Sequence, residues 1–77
     1  MGAKIKQDEI RIGDNIRRVR KSHKVGQTEL VRQLQLQGID ITRETLVKIE
    51  RGIQHIKAAQ LRAIRDALDT SYDELLK

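Results

Sequence analysis

Proline and cysteine are absent from this 77-residue chain, and Tyr72 is its only aromatic residue. Without cysteine there is no disulfide, no thiolate metal site and no cysteine nucleophile, which is compatible with an intracellular setting. Without Phe or Trp, the core has to be built from Ile, Leu, Val and Ala, a palette that suits packed helices. No apolar run approaches the roughly 20 residues that cross a bilayer. The opening "MGAKIKQDEI" also lacks the apolar block of a secretory signal, so the chain reads as soluble. At 8.9 kDa it is one small domain near the lower limit for a self-sufficient core, and a large substrate cavity is not expected.

The net charge is +5, and its placement says more than its size. Residues 1 to 26 hold Lys4, Lys6, Arg11, Arg17, Arg18, Arg20, Lys21 and Lys24 against Asp8, Glu9 and Asp14, whereas cations and acids balance in the remainder. The whole excess therefore sits at one end. Such a patch favours a polyanion, either nucleic acid or an anionic membrane surface. The plainer reading is a solvated helix face that keeps the protein in solution.

Gly13, Gly26, Gly38 and Gly52 punctuate the chain. A first helix is expected from Asp8 or Ile12 to about His23, because Ile12, Ile16 and Val19 form one apolar stripe at i, i+4 and i+7. Residues 1 to 11 are then a basic N-terminal arm or a helix extension, and residues 12 to 77 the domain. A second helix starts at Gln27, buries Leu30, Val31 and Leu34, and stops at Gly38. Thr42 is the natural N-cap of a short third helix that ends at Gly52. A fourth runs from Ala58 to Leu68 with Leu61, Ile64 and Leu68 inward and Ala58 and Ala67 beside them. The last is announced by "SYDELL", where Ser71 and Glu74 have capping-box spacing and Tyr72, Leu75 and Leu76 close the bundle. No stretch alternates as a strand should. The fold class is all-α, five short helices around one aliphatic core.

Three segments in this order, Gln27-Thr28-Glu29-Leu30, then Ile41-Thr42-Arg43-Glu44-Thr45-Leu46-Val47-Lys48-Ile49-Glu50-Arg51-Gly52, then Ser71-Tyr72-Asp73-Glu74-Leu75-Leu76, resemble the helix-turn-helix domain of the Cro/XRE (lambda-repressor-like) transcription regulators. The resemblance covers residues 12 to 76. It implies a sequence-specific regulator, a repressor by the family's habit, whose third helix enters the major groove of duplex DNA while the second crosses the backbone. By resemblance, Arg43, Glu44 and Lys48 take the base-reading positions. Their chemistry allows it, since Arg or Lys donates to guanine O6 and N7 and Glu accepts from cytosine N4. Thr45 supports Arg43, meets a phosphate or reads a base, and Val47 meets a thymine methyl or a second subunit.

Gln27 matches the family's phosphate-holding position at the start of helix 2, with Thr28 beside it. Arg17, Arg20, Lys21, Lys24, Arg51 and Lys57 are further candidates for phosphates. Glu50, acidic beside a polyanion, is expected to pair with a helix 1 arginine such as Arg17. The resemblance further implies a homodimer on an inverted repeat, joined through the C-terminal helix and the loop before helix 4, in a cytoplasmic, nucleoid-associated protein of bacterial or phage origin.

The sequence departs from the family pattern in three places. The link between helices 2 and 3 holds roughly five extra residues in "QLQLQGID", which predicts a longer helix 2. Val31 stands where a small residue is usual. His55-Ile56-Lys57 replaces the usual Asn-Pro and hydroxyl cap, which predicts a helix 4 start weaker by about 1 kcal/mol.

Other function classes find little support. His23 and His55 are the only imidazoles; there is no Ser-His-Asp order and no glycine-rich phosphate loop, so neither an enzyme, a metal site nor a cofactor is expected. The alternative is a protein-interaction module on the same scaffold that has given up base reading, for which Glu44 in the reading face is the argument. Membrane binding ranks third, because the core needs the apolar stripe of helix 1.

Overall fold

The stripe of Ile12, Ile16 and Val19 drives the first packing step. All three are buried on one side of helix α1 (Ile12–Ser22). The computed structural model describes Lys4, Ile5 and residues 11–77, and the choice between arm and helix extension for residues 1–11 falls largely outside these. Four more helices follow: α2 (Gln27–Leu36), α3 (Arg43–Glu50), α4 (Ala58–Ala67) and α5 (Tyr72–Leu75). Helix α1 packs on α3 and α5, and α2 on α3 and α4. The centre is filled by Leu30, Leu34, Leu46, Ile49, Ile64 and Leu75, each fully buried. Covering such a side chain contributes about 1.5–3 kcal/mol, most of it offset by ordering entropy.

The inward residues of α4 are Leu61, Ala63 and Ile64, continued by Leu68 just past its end. Ala58 is exposed, whereas Ala67 is half-buried and packed against the core. Tyr72 does not close the bundle: it is partly exposed, and the Arg65 guanidinium lies 4.5 Å from its ring centroid.

The additional residues between the second and third helices extend α2 only to Leu36. Gly38, at φ +84°, closes the helix, and Ile39 N–H bonds back to the Leu34 carbonyl at 3.0 Å. The remaining chain is pinned from both sides. Gln35 Nε2 donates to the Ile41 carbonyl at 2.9 Å, Gln37 Nε2 donates to the Ala63 carbonyl at 3.3 Å, and Ile41 is buried in the core. Val31 is buried too. Thr42 caps α3 as expected, its hydroxyl accepting from Thr45 N–H at 3.2 Å.

One element has no counterpart in the sequence reading. Strands β1 (Lys4–Ile5) and β2 (Ile56–Lys57) pair antiparallel, Lys4 opposite Lys57 and Ile5 opposite Ile56. Two residues are too few for alternation to be visible. In β2 the side chain of Ile56 is buried and Lys57 is exposed. The start of α4 is tied as well, because the buried Gln60 accepts from Lys57 N–H through Oε1 at 2.9 Å and so replaces part of the missing hydroxyl cap.

The C-terminal turn is fastened to α1 by polar contacts. Asn15 Nδ2 donates to the carbonyls of Leu75 and Lys77 at 3.0 and 3.3 Å. Arg18 reaches Glu74 Oε1 at 3.3 Å and its carbonyl at 3.1 Å. Ser71 caps α5 through Glu74 N–H, whereas the Glu74 carboxylate is engaged by Arg18 and Lys77. Those two cations, Lys77 first, hold the Glu74 pKa below its ordinary value.

Two outcomes follow for stability. Leu34→Ala should cost about 2–5 kcal/mol in urea unfolding, and a loss below about 1 kcal/mol would place Leu34 outside the core. Because the folded pKa of Glu74 is depressed, its contribution is complete above the unfolded value and fades as pH falls through the folded one. The stability gap between the protein and Glu74→Gln should therefore shrink from about pH 7 to about pH 3; a gap that stays constant would show that the charge is not what fastens α5.

Candidate nucleic-acid interface

Helix α3 decides what this surface presents. Leu46 and Ile49 point into the core, so helical geometry turns the rows Arg43-Val47-Arg51 and Glu44-Lys48 outward. Arg43, Glu44, Lys48 and Arg51 are exposed and Val47 is half-buried. Glu44 Oε1 and Lys48 Nζ stand 3.3 Å apart.

A groove runs along each side of this ridge. One is lined by Asp14, Arg17, Arg20, Lys21, Gln27, Val47, Glu50 and Arg51. It brings together four residues expected to meet phosphates, Arg17, Lys21, Gln27 and Arg51, contributed by α1, α2 and the C-cap of α3. The other is lined by Asp40, Thr45, Ile53, Gln54, His55, Lys57 and Gln60, and places Lys57 and Thr45 together on the opposite flank. Lys24 and Thr28 line neither groove. Thr28 is exposed in the first turn of α2, and Lys24 is exposed in the turn after α1 at φ +59°.

Beneath the first groove lies a buried ion pair. Arg20 donates from Nε to Glu50 Oε2 at 2.8 Å and from Nη2 to Oε1 at 2.9 Å, and its Nη1 reaches the Val25 carbonyl at 3.0 Å. The two side chains are 8% and 3% exposed. Gln27 Nε2 donates to the same carboxylate at 3.1 Å. Glu50 is thus paired with helix 1 as expected, through Arg20 and not Arg17. Arg20 is accordingly withdrawn from the set of phosphate candidates. The signal was present in the sequence: Arg20 follows Ile16 by four residues and Ile12 by eight, and so belongs to the buried stripe, whereas Arg17 lies off it.

The network fixes one end of the Gln27 side chain at the entry of α2. Gly26, the N-cap, supplies no side-chain acceptor, so the first-turn amides of α2 are not capped by a side chain. Free helix N-terminal amides beside Arg17 and Lys21 suit a phosphate. Sequence reasoning missed Asp14, Gln54 and Gln60 as groove residues, because their positions depend on helix rotation and loop path. Among the described residues no helix is long and apolar enough to cross a membrane.

Five helices, with the second and third joined by the pinned segment 37–42 and the third turned outward between two grooves, define the lambda-repressor-like, all-α fold of a helix-turn-helix DNA-binding domain. A family model described as helix-turn-helix matches residues 16–75, far more than half of the chain. The protein belongs to the Cro/C1-type (XRE) helix-turn-helix family of DNA-binding regulators. Comparison with curated proteins and with solved structures returned no match.

The buried pair makes its own test. Glu50→Ala leaves the Arg20 guanidinium buried without its counterion and should cost about 3–5 kcal/mol. The double change Arg20→Met with Glu50→Leu removes both charges and should recover most of that loss. Urea titration of the single and double variants decides it: a double variant no more stable than the single one would mean that isolated charge is not the source of the penalty.

Proposed function

We propose that this protein is a sequence-specific repressor that binds an inverted-repeat operator as a homodimer, in the cytoplasm of a bacterium or from a phage genome. The observation that carries the reading is the continuity of the basic face. Val47 and Arg51 of α3 line the groove that also holds Arg17, Lys21 and Gln27, and Arg43 stands one helical turn before Val47 on the same exposed row, which supports a surface shared by the reading helix and the phosphate contacts. Arg43, Glu44 and Lys48 read base edges in the major groove, with Thr45 in support. Gln27 and Thr28 hold a phosphate at the start of α2, and Arg17, Lys21, Lys24, Arg51 and Lys57 add contacts that position the duplex and make binding salt-dependent.

One reading helix covers few base pairs, and two related by a twofold axis supply the remaining specificity on half-sites about one helical turn apart. Exposed Ile53 in the loop before α4 and Tyr72 in α5 support a dimer contact through that loop and the C-terminal turn. Residues 12–77 are the DNA-binding domain.

Selection of the protein against random duplexes at near-physiological salt should enrich a palindrome. Within that site, Arg43→Ala should lose about 1–3 kcal/mol of discrimination at one base pair, while Gln27→Ala should weaken all duplexes alike. Binding without enrichment that vanishes as salt rises would sink the base-reading role and favour a protein-interaction module.

A further inference from the structure

The ion pair on the ridge of α3 is unusual for a surface that meets a polyanion. Glu44 is 79% exposed and Lys48 46% exposed, one helical turn apart, with Oε1 and Nζ separated by 3.3 Å. A free carboxylate there would be repelled by the phosphates, but with Lys48 at its side the charge reaches the groove already neutralised. We propose that Glu44 and Lys48 act as one unit that recognises a single C·G base pair, Glu44 accepting from cytosine N4 and Lys48 donating to guanine O6 and N7. The proposal rests on the reading of α3 as the base-reading helix.

The chemistry of the base-pair edge supports it. In the major groove cytosine N4 is a donor and guanine O6 an acceptor. These two atoms are hydrogen-bonded to each other, so they lie about 2.9 Å apart, close to the spacing of the protein's acceptor and donor. One base pair can then satisfy both ends of the ion pair at once. An A·T pair also sets a donor beside an acceptor, but thymine offers O4 alone and places its methyl group beside it, where guanine offers O6 and N7. The reversed G·C pair would set an acceptor against the Glu44 carboxylate. Exposed i,i+4 ion pairs are weak in water, so opening this one to admit the base edges is easy, and Glu44 contributes chiefly by rejecting base pairs that have no amino group in the right place.

The test is a double-mutant cycle on the selected operator. The protein, Glu44→Ala, Lys48→Ala and the double variant are titrated by fluorescence anisotropy against the site and each of its single base-pair substitutions, after circular dichroism has shown that all four are folded. Both single variants should lose discrimination at the same C·G pair, by about 5- to 150-fold, and the double variant should lose little more than either one. Losses at two different base pairs, or losses that multiply in the double variant, would overturn the shared-pair assignment while leaving α3 as the reading helix. If Arg43→Ala and both of these variants leave every preference unchanged, the assignment fails together with the base-reading role on which it rests.

Discussion

The bidentate contact between Arg20 and Glu50 is the constraint from which the geometry of this domain follows. Two opposite charges out of water cost several kcal/mol each in desolvation, and they are tolerated only when their donors and acceptors are matched in place. Here both carboxylate oxygens are met, and the third guanidinium nitrogen is satisfied by the Val25 carbonyl in the turn between α1 and α2. A shift of α3 along or around its axis would break two charge-assisted hydrogen bonds in a largely buried site. The orientation of α3 against α1 is therefore set by this pair as well as by the aliphatic core. Gln27, held by the same carboxylate, places the entry of α2 relative to both.

The helix-turn-helix unit depends on a second set of constraints where the chain between α2 and α3 is longer than the family pattern. Additional residues usually add entropy that must be offset by contacts. In this protein Gln35 donates to the Ile41 carbonyl across the turn, Gln37 donates to the Ala63 carbonyl of α4, and Ile41 enters the core. The insertion consequently behaves as part of the packed structure, and Thr42 arrives in place to cap α3. The exposed rows of α3 can then stand as a fixed ridge between two grooves, which is what a rigid reading element requires.

Much of this was legible in the sequence because aliphatic spacing at 3.6 residues per turn determines which faces must meet. The first, second and fourth helices and most of the core residues follow from that rule, whereas the third and fifth are marked by their caps, Thr42 and Ser71. The site was legible in its residue types and less so in its partners. Arg20 was grouped with its charged neighbours, although its spacing from Ile12 and Ile16 assigned it to the buried face. The Lys4–Ile5 pairing with Ile56–Lys57 left no trace, since two residues carry no period. The tie at the start of α4 was missed for a different reason: it comes from Gln60, inside the helix, while cap rules look first at the residue before it. Which residues line each groove depends on helix rotation and on the path of the loop after α3, and neither is fixed by spacing.

The distribution of charge acquires its meaning only when the acids are located. Asp14 lies 2.7 Å from Arg11, Glu44 3.3 Å from Lys48, and Glu50 2.8 Å from Arg20. Each of these three acids is thus answered by a neighbouring cation within the domain, whereas Asp40 in the second groove belongs to none of the three pairs. Arg17, Lys21 and Arg51, around the Gln27 groove, are exposed and appear in none of those three pairs. Around the Gln27 groove these cations stand beside the start of α2, whose N-cap supplies no side-chain acceptor, an arrangement that attracts an anion. Glu44, the exposed acid of α3, is held by a lysine one turn along the same helix, so its charge is answered within the ridge itself.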